Sequence, residues 1–501
     1  MRAGSVPLLL MLTAPVRAQE VPLATEMQVE GVVSYDPDVP RPEEVLGYVV
    51  GTRHTEPHRA RDYFVTIAGS SERVAVLEHG RTHEGRPLIH AIVTSPANHD
   101  RLEDIRTSNL AVSDRPTDPA LDLSGLPGVV LLGYSVHGNE ASGTEAALLT
   151  LYHLTAGRGE EIEALLDSLV IIIDPMLNPD GRDRFVDWVN RNRGTVHTTD
   201  SQDREHNEPW PGGRTNHYWF DLNRDWLPAT QPESRARLEL FHHWRPQMVT
   251  DFHEMGTNST YFFQPGIQSR TNPNTPRLNQ ELTAEVASYH AAALDRLGEL
   301  YFTEEVFDDF YYGKGSTYPD VNGAVGILFE QASSRALESK ASSGSLHYAV
   351  TVRNQFATSL STLTAARDLR VELLAAQRDF YASAPEFAQE TDVGTYVLGL
   401  ARGRDRALNL ARLLIRHRVR LFELADPINV NGRSLQPGEA LLIPAGQPQA
   451  RLVRASLERV TTFQDSLFYD VSTWSLPLAY DVDVYELDRP VDQGPLYEGD
   501  M

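Results

Sequence analysis

Apolar residues in this chain come in short unbroken runs separated by amphipathic stretches. The runs at 128–133 (Gly-Val-Val-Leu-Leu-Gly), 169–174 and 324–329 are continuous rather than alternating, the pattern of strands buried on both faces, and 248–253 (Met-Val-Thr-Asp-Phe-His) reads as a further strand. Between them, 144–155, 160–168, 232–243 and 279–297 carry helical periodicity. Near the start, 60–68 is helical, 74–80 and 88–93 form a hairpin around Glu84-Gly85-Arg86-Pro87, and 99–108 is a polar helix. Buried strands alternating with helices predict an α/β fold: a mixed, largely parallel central sheet with helices on both faces. A helix over 350–375 closes this domain, assigned to 46–375. A polar bridge over 376–394 leads to a small C-terminal α/β module at 390–501, with strands at 395–399, 419–424 and 441–444 and a basic helix at 404–417. Residues 186–220 read as irregular, and so long a loop inside a compact domain is usually functional.

Composition narrows the function. The chain has 501 residues, 41% hydrophobic and 23% charged, and a net charge of −24 from 69 acidic and 45 basic residues. That balance argues against a nucleic-acid partner, whose phosphates need a basic face. There is no cysteine, which excludes disulfides, thiolate metal sites and a cysteine nucleophile. Any metal must be held by His, Asp and Glu. Arg2, the apolar run 8–12 and the small-residue site 16–18 read as a signal peptide over 1–18, which predicts a secreted or periplasmic protein. An extended Pro- and acid-rich lead-in follows over 19–45. No run of 18 apolar residues occurs, so no membrane span is expected.

Candidate chemistry starts at Tyr134-Ser135-Val136-His137-Gly138-Asn139-Glu140. A His and a Glu three residues apart, on the turn leaving a buried strand, can both reach one cation, and zinc accepts that mixture. His253 ends another buried strand, the edge at which open α/β sheets place their ligands. Glu330 ends a third, and a charge there is costly unless paired or employed. Thermolysin-type chemistry fails because His253-Glu254 is followed by Thr257 where H-E-x-x-H needs a histidine. Ser135 and Ser142 lack the G-x-S-x-G context of a serine nucleophile. Asp203, His206 and His217 offer an accessory metal set in the long loop.

Further stretches extend the pattern in order: Gly80-Arg81-Thr82-His83-Glu84-Gly85-Arg86-Pro87, Asn178-Pro179-Asp180-Gly181 and Asp221-Leu222-Asn223-Arg224-Asp225-Trp226. Together with His137-x-x-Glu140, His253 and Glu330, they resemble the zinc carboxypeptidases of the carboxypeptidase A type, the M14 metallopeptidases, over about 80–335. The resemblance implies one zinc ion per chain, held by His137, Glu140 and His253. It implies Glu330 as the general base for a zinc-activated water, and Asp221 behind His137. Asn223 and Arg224 would grip the terminal carboxylate of a peptide substrate, and Tyr311 would close over it, with Tyr312 and Tyr318 as alternatives. Arg193, with Arg191 second, would stabilise the oxyanion, and Thr317 lies near the position that sets side-chain preference. The implied activity is removal of C-terminal residues from peptides or peptidoglycan stems. A zinc amidase or deacylase of a related M14 branch is the alternative, and residues 390–501 offer a partner- or sugar-binding module with no catalytic set of its own.

Overall fold

The computed structural model describes Val29, residues 31–461 and residues 475–499. The expected signal peptide and most of the lead-in lie outside these residues. An eight-stranded sheet forms the centre: β1 (Val74–Arg81), β2 (Pro87–Val93), β3 (Gly128–Tyr134), β4 (Leu169–Asp174), β5 (Met248–Met255), β6 (Tyr261–Phe263), β7 (Tyr301–Phe302) and β8 (Val325–Ala332), in the order β1-β2-β4-β3-β5-β8-β6-β7. The four middle strands, β4, β3, β5 and β8, run parallel. The hairpin joins antiparallel at one side and β6 at the other. β3 and β4 are buried at every position, as their unbroken apolar runs predict.

Helices cover both faces. α1 (Ser142–Ala156), α2 (Pro179–Asn192), α3 (Pro232–Trp244), α4 (Arg277–Leu297), α5 (Tyr348–Asp368) and α6 (Arg370–Ala382) are the main ones. One core joins α1, α4 and α5 to one sheet face through residues such as Leu148, Val286 and Val352. A second fills the opposite face around Val129, Ile172 and Phe241.

Three boundaries differ from the sequence expectation. α2 runs to Asn192, so the irregular loop starts there and not at 186. Asn178 caps it by accepting a bond from Gly181 N at 2.9 Å, and Pro179 at its first position needs no donor. The helix expected over 350–375 is two helices, broken at Leu369, and the polar bridge is helical to Gln389. Buried Leu373, Leu374, Phe380 and Phe387 give that stretch an apolar stripe its polar composition hides. β6 and β7, too short to show a pattern, extend the sheet edge.

The C-terminal module contains β9 (Thr395–Gly399), α7 (Arg404–Arg416), β10 (Phe422–Leu424), β11 (Ala440–Pro444), β12 (Val484–Leu487) and β13 (Gln493–Leu496). Its sheet, β12-β9-β11-β10-β13, is antiparallel at every pairing. The second core runs without a break into it through Leu398, Leu410 and Leu414.

Buried polar groups make this fold sensitive in two ways. Glu145 on α1 and Arg182 on α2 pair at 2.6 Å with both side chains wholly buried, and Thr55 N and Thr55 O bond to the same two groups. Removing one partner strands the other charge, so Glu145→Ala should lower stability by about 3–5 kcal/mol in urea unfolding. Loss of the exposed Arg191–Asp187 pair should cost less than about 1 kcal/mol in the same assay. Burial also holds histidines neutral: His54 and His290 are pushed down to about 3, His153 and His417 to about 4. Below pH 6.5 the unfolded chain takes up protons at these four sites that the folded chain refuses. Stability from them is complete above about pH 6.5 and should fall as pH drops towards 4, read as a declining urea midpoint.

Candidate metal centre and substrate cleft

The turn after β3 brings the first two ligands together. Ser135 sits at φ +55, a left-handed backbone that only a well-braced turn holds in a non-glycine residue. A Cβ at Gly138 would lie 1.9 Å from Arg182 N, so the turn can touch the first turn of α2 only with glycine there. Gly181 is equally confined, with Gly213 O 2.4 Å from its would-be Cβ. The Asn-Pro-Asp-Gly turn is therefore a packing surface for the ligand turn. Asp180 also anchors the β1–β2 hairpin, accepting Thr82 Oγ1 at 2.8 Å and Arg86 Nη1 at 2.7 Å.

His137, Glu140 and His253 converge, with donor atoms all within 4.8 Å of one another. The two Nδ1 atoms lie 3.1 Å apart, and the Glu140 oxygens are 2.8 Å from His137 Nδ1 and 2.9 Å from His253 Nδ1. Carboxylates stand behind both rings: Asp221 Oδ1 is 3.0 Å from His137 Nε2, and Asp251 Oδ2 is 2.8 Å from His253 Nε2. The Asp221 contact holds the His137 Nε2–H, which leaves the His137 Nδ1 lone pair facing the centre, and the Asp251 carboxylate sets negative charge beside the second ring. Two imidazoles and one carboxylate are a donor set that fits zinc. The electrostatics agree. Burial alone would raise Glu140, but His137 and His253 hold it far below the usual carboxylate range. Burial would lower the histidines, but Glu140 with Asp221 raises His137, and Asp251 with Glu140 raises His253. The cluster demands positive charge.

Glu330 lies directly opposite His253 in the parallel β5–β8 ladder, so both side chains leave the sheet on one face. Burial pushes its carboxyl up to about 8 against the pull of His253, and Glu140 adds to the rise. Asn223 Oδ1 accepts Gly315 N at 2.8 Å, and its side-chain amide lies against the His253 ring. Arg224, next along, donates to Asn223 O, and its own carbonyl accepts Tyr311 Oη–H at 3.1 Å. Of the three candidate tyrosines, Tyr311 alone touches this segment. Tyr312 bonds Thr275, and Tyr318 bonds His242 and His417. Thr317 is buried with its hydroxyl on Tyr311 O, so it braces the loop instead of lining a pocket.

Arg193 and Arg191 are not brought to the cluster. Arg193 reaches Thr52 O and Arg191 pairs with Asp187 on the surface of α2, because the helix continues through the stretch expected to be loop. The arginine that arrives is Arg214, with Nη2 3.0 Å from Asp221 Oδ2 and Nη1 3.4 Å from Glu140 Oε1. It stands in an irregular loop that no periodicity marks. Asp251 was the second omission, and it was readable: two residues before His253 on one strand, it must share that residue's face. The accessory set does not assemble, for His206 bonds Thr198 O and His217 bonds Glu84.

The C-terminal module reaches the cleft through one hydrogen-bonded chain. His417 Nε2–H donates to Leu227 O at 2.8 Å, so its Nδ1 accepts Tyr318 Oη–H at 2.7 Å, and His242 Nε2–H donates to the Tyr318 oxygen at 2.9 Å. Tyr318 adjoins Thr317, which holds Tyr311. The module thus buttresses the loop beside Arg224. His417→Ala should cost about 1–3 kcal/mol through the stranded hydroxyl, measured by urea unfolding.

Known proteins resemble this chain along part of its length. "Carboxypeptidase 2" of Trichophyton rubrum is 30% identical over 125 residues, 25% of this chain and 18% of that protein. The chain spans about a fifth of the length of the curated relatives it matches. A metallo-carboxypeptidase structure from Burkholderia cenocepacia aligns with a TM-score of 0.43 and 16% identity over 63% of this chain and 70% of that one. Carboxypeptidase A from Helicoverpa armigera aligns at 0.41 and 17%, over 67% and 79%. The family model described as zinc carboxypeptidase, of the M14 peptidases, matches residues 61–339, more than half of the chain and every residue of the cluster, and the chain belongs to that family.

Proposed function

We propose that this protein is a zinc-dependent carboxypeptidase that hydrolyses the C-terminal peptide bond of its substrates. The observation that carries the reading is the register of Glu330 against His253 beside the three-donor centre. His137, Glu140 and His253 would hold the ion, which supplies Lewis-acid polarisation of a carbonyl and eases deprotonation of water. Glu330 takes the proton of the attacking water and returns it to the departing amine. Its raised pKa suits both steps, since a carboxyl that binds a proton readily also donates it near neutral pH. Arg214 supplies fixed positive charge beside the centre, where the attacked carbonyl oxygen turns anionic. Arg224, positioned by Asn223 and capped by Tyr311, offers a guanidinium fork to the terminal carboxylate. Asp221 keeps His137 in the ligating tautomer, and Asp251 backs His253 with negative charge.

Export is part of the proposal. It is supported by the basic, apolar and small-residue order of the first 18 residues and by the lack of cysteine. No helix among the described residues is long and apolar enough to cross a membrane. Peptides, including peptidoglycan stems, are the substrate class that an exported enzyme of this kind would meet.

The zinc-loaded protein should release C-terminal residues from free-acid peptides and lose activity on chelation. Its activity should fall sharply on the same peptides amidated at the C-terminus. Equal rates on both would point to an amidase or deacylase instead. Glu330→Gln should keep its zinc content but lose about 10²–10⁴-fold in kcat. Arg214→Ala should lose about 10²–10³-fold in kcat, whereas Arg193→Ala should change little. Full activity of Glu330→Gln would remove the general-base assignment.

A further inference from the structure

The loop that carries Arg214 also lifts four aromatic rings into solvent. Trp210 is 77% exposed, Tyr218 58%, Trp219 59% and Phe220 47%. Isolated exposed aromatics need no explanation, but a contiguous set beside a reactive centre does. Trp210 and Trp219 lie with ring centroids 4.8 Å apart, and the Tyr218 ring stands edge-on to His83 and His217 at 4.7 and 4.5 Å.

The loop is built to hold them there. Asn216, fully buried, accepts Tyr218 N at 3.1 Å and Phe220 N at 3.0 Å through one side-chain oxygen, while its amide nitrogen donates to Gln231 Oε1 at 2.9 Å. Its own N–H donates to Phe220 O, which closes the turn. Trp219 sits at φ +67, a strained conformation for a bulky residue. Arg184 of α2 grips Gly212 O at 3.0 Å and Asn216 O at 3.0 Å. Glu208 ties the loop back to the ligand turn, accepting Asn139 Nδ2 at 2.5 Å and Gly213 N at 2.8 Å. Strain and a buried organising side chain, spent on keeping large apolar rings in water, point to a ligand that covers them.

We infer that Trp210, Tyr218, Trp219 and Phe220 form a platform for the part of the substrate upstream of the scissile bond, selecting aromatic and large aliphatic side chains two or more residues before it. The inference rests on the carboxypeptidase reading and extends it. Two observations place the occupant. Phe220 precedes Asp221 directly and Trp219 stands two Cα steps from it, at most about 7.6 Å, so the platform abuts the metal centre. The Arg224–Tyr311 end of the cleft is closed by buried tyrosines. A chain with its terminus fixed there must leave over the exposed rim, and the rim is this loop.

The test compares the zinc-loaded wild type with Trp210→Ala/Trp219→Ala and with Trp219→Phe. One substrate is an N-blocked dipeptide that fills only the centre and the carboxylate end. The others are N-blocked pentapeptides with the same two C-terminal residues and either Phe or Ser at the upstream positions. The wild type should prefer the Phe pentapeptide, and the double variant should lose about tenfold in kcat/KM on it, through KM. The dipeptide should be hydrolysed equally by all three proteins, and Trp219→Phe should retain most of the preference. Tryptophan fluorescence titration with the amidated Phe and Ser pentapeptides reads the platform without turnover. If no C-terminal residue is released from any substrate yet the Phe peptide binds better, the hydrolase reading falls and the platform stands. Lack of preference between Phe and Ser in both assays overturns the platform. So does saturable quenching by a chito-oligosaccharide but not by peptides, or a wild-type dimer that the double variant abolishes.

Discussion

A close backbone approach between the ligand turn and α2 governs the site. The turn carrying His137 and Glu140 rests on the first turn of α2 with no room for a side chain at Gly138, and Gly181 meets the neighbouring loop with as little. This contact sets the height of the ligand turn above the sheet edge. From there His137 meets His253, and the loop holding Arg214 is drawn over both. The cost is a left-handed Ser135 and a set of glycines, offset by the capped helix and by the buried Glu145–Arg182 pair between α1 and α2. Cooperative packing of this kind makes a metal site insensitive to the rest of the surface and intolerant of change beneath it.

The second constraint is the parallel register of β5 and β8. Pairing places Glu330 opposite His253, and the two-residue period puts Asp251 behind the same histidine. A slip of one residue would turn Glu330 away from the centre. Glu330, Asp251 and His253 are therefore positioned by backbone hydrogen bonds between strands, the stiffest element available, while Asn223, Arg224 and Arg214 stand on loops. Those loops are braced in turn: one by Asn216 and Arg184, the other by Tyr318 against His242 and His417. The C-terminal module gains a physical role in this way. Its core is continuous with that of the larger domain, and its His417 holds the loop beside Arg224.

Much of this was legible in the chain alone. Unbroken apolar runs identified β3, β4 and β8, because a strand buried on both faces has no polar alternation to confuse it. His137, Glu140, His253 and Glu330 could be read because each stands near the end of a buried strand or on the turn that leaves one. Asp251 was equally readable from its spacing to His253. The extent of α2 was misjudged because its polar surface masks an apolar stripe, and the family spacing that offered Arg191 and Arg193 leads to the end of that helix, where they bond Asp187 and Thr52 O.

What the sequence by itself determined was the identity of the buried strands and of the groups at their ends, since local periodicity and the cost of burying charge act within a few residues. Only the tertiary structure decided that Arg214 reaches the centre, that Tyr311 and not Tyr312 or Tyr318 bonds Arg224, and that four aromatic rings of the Arg214 loop stand exposed. Loops follow no period. Their course is set by contacts with residues distant in the chain, such as Glu208 with Asn139 and Tyr318 with His417, and those contacts exist only once the core has brought the partners together.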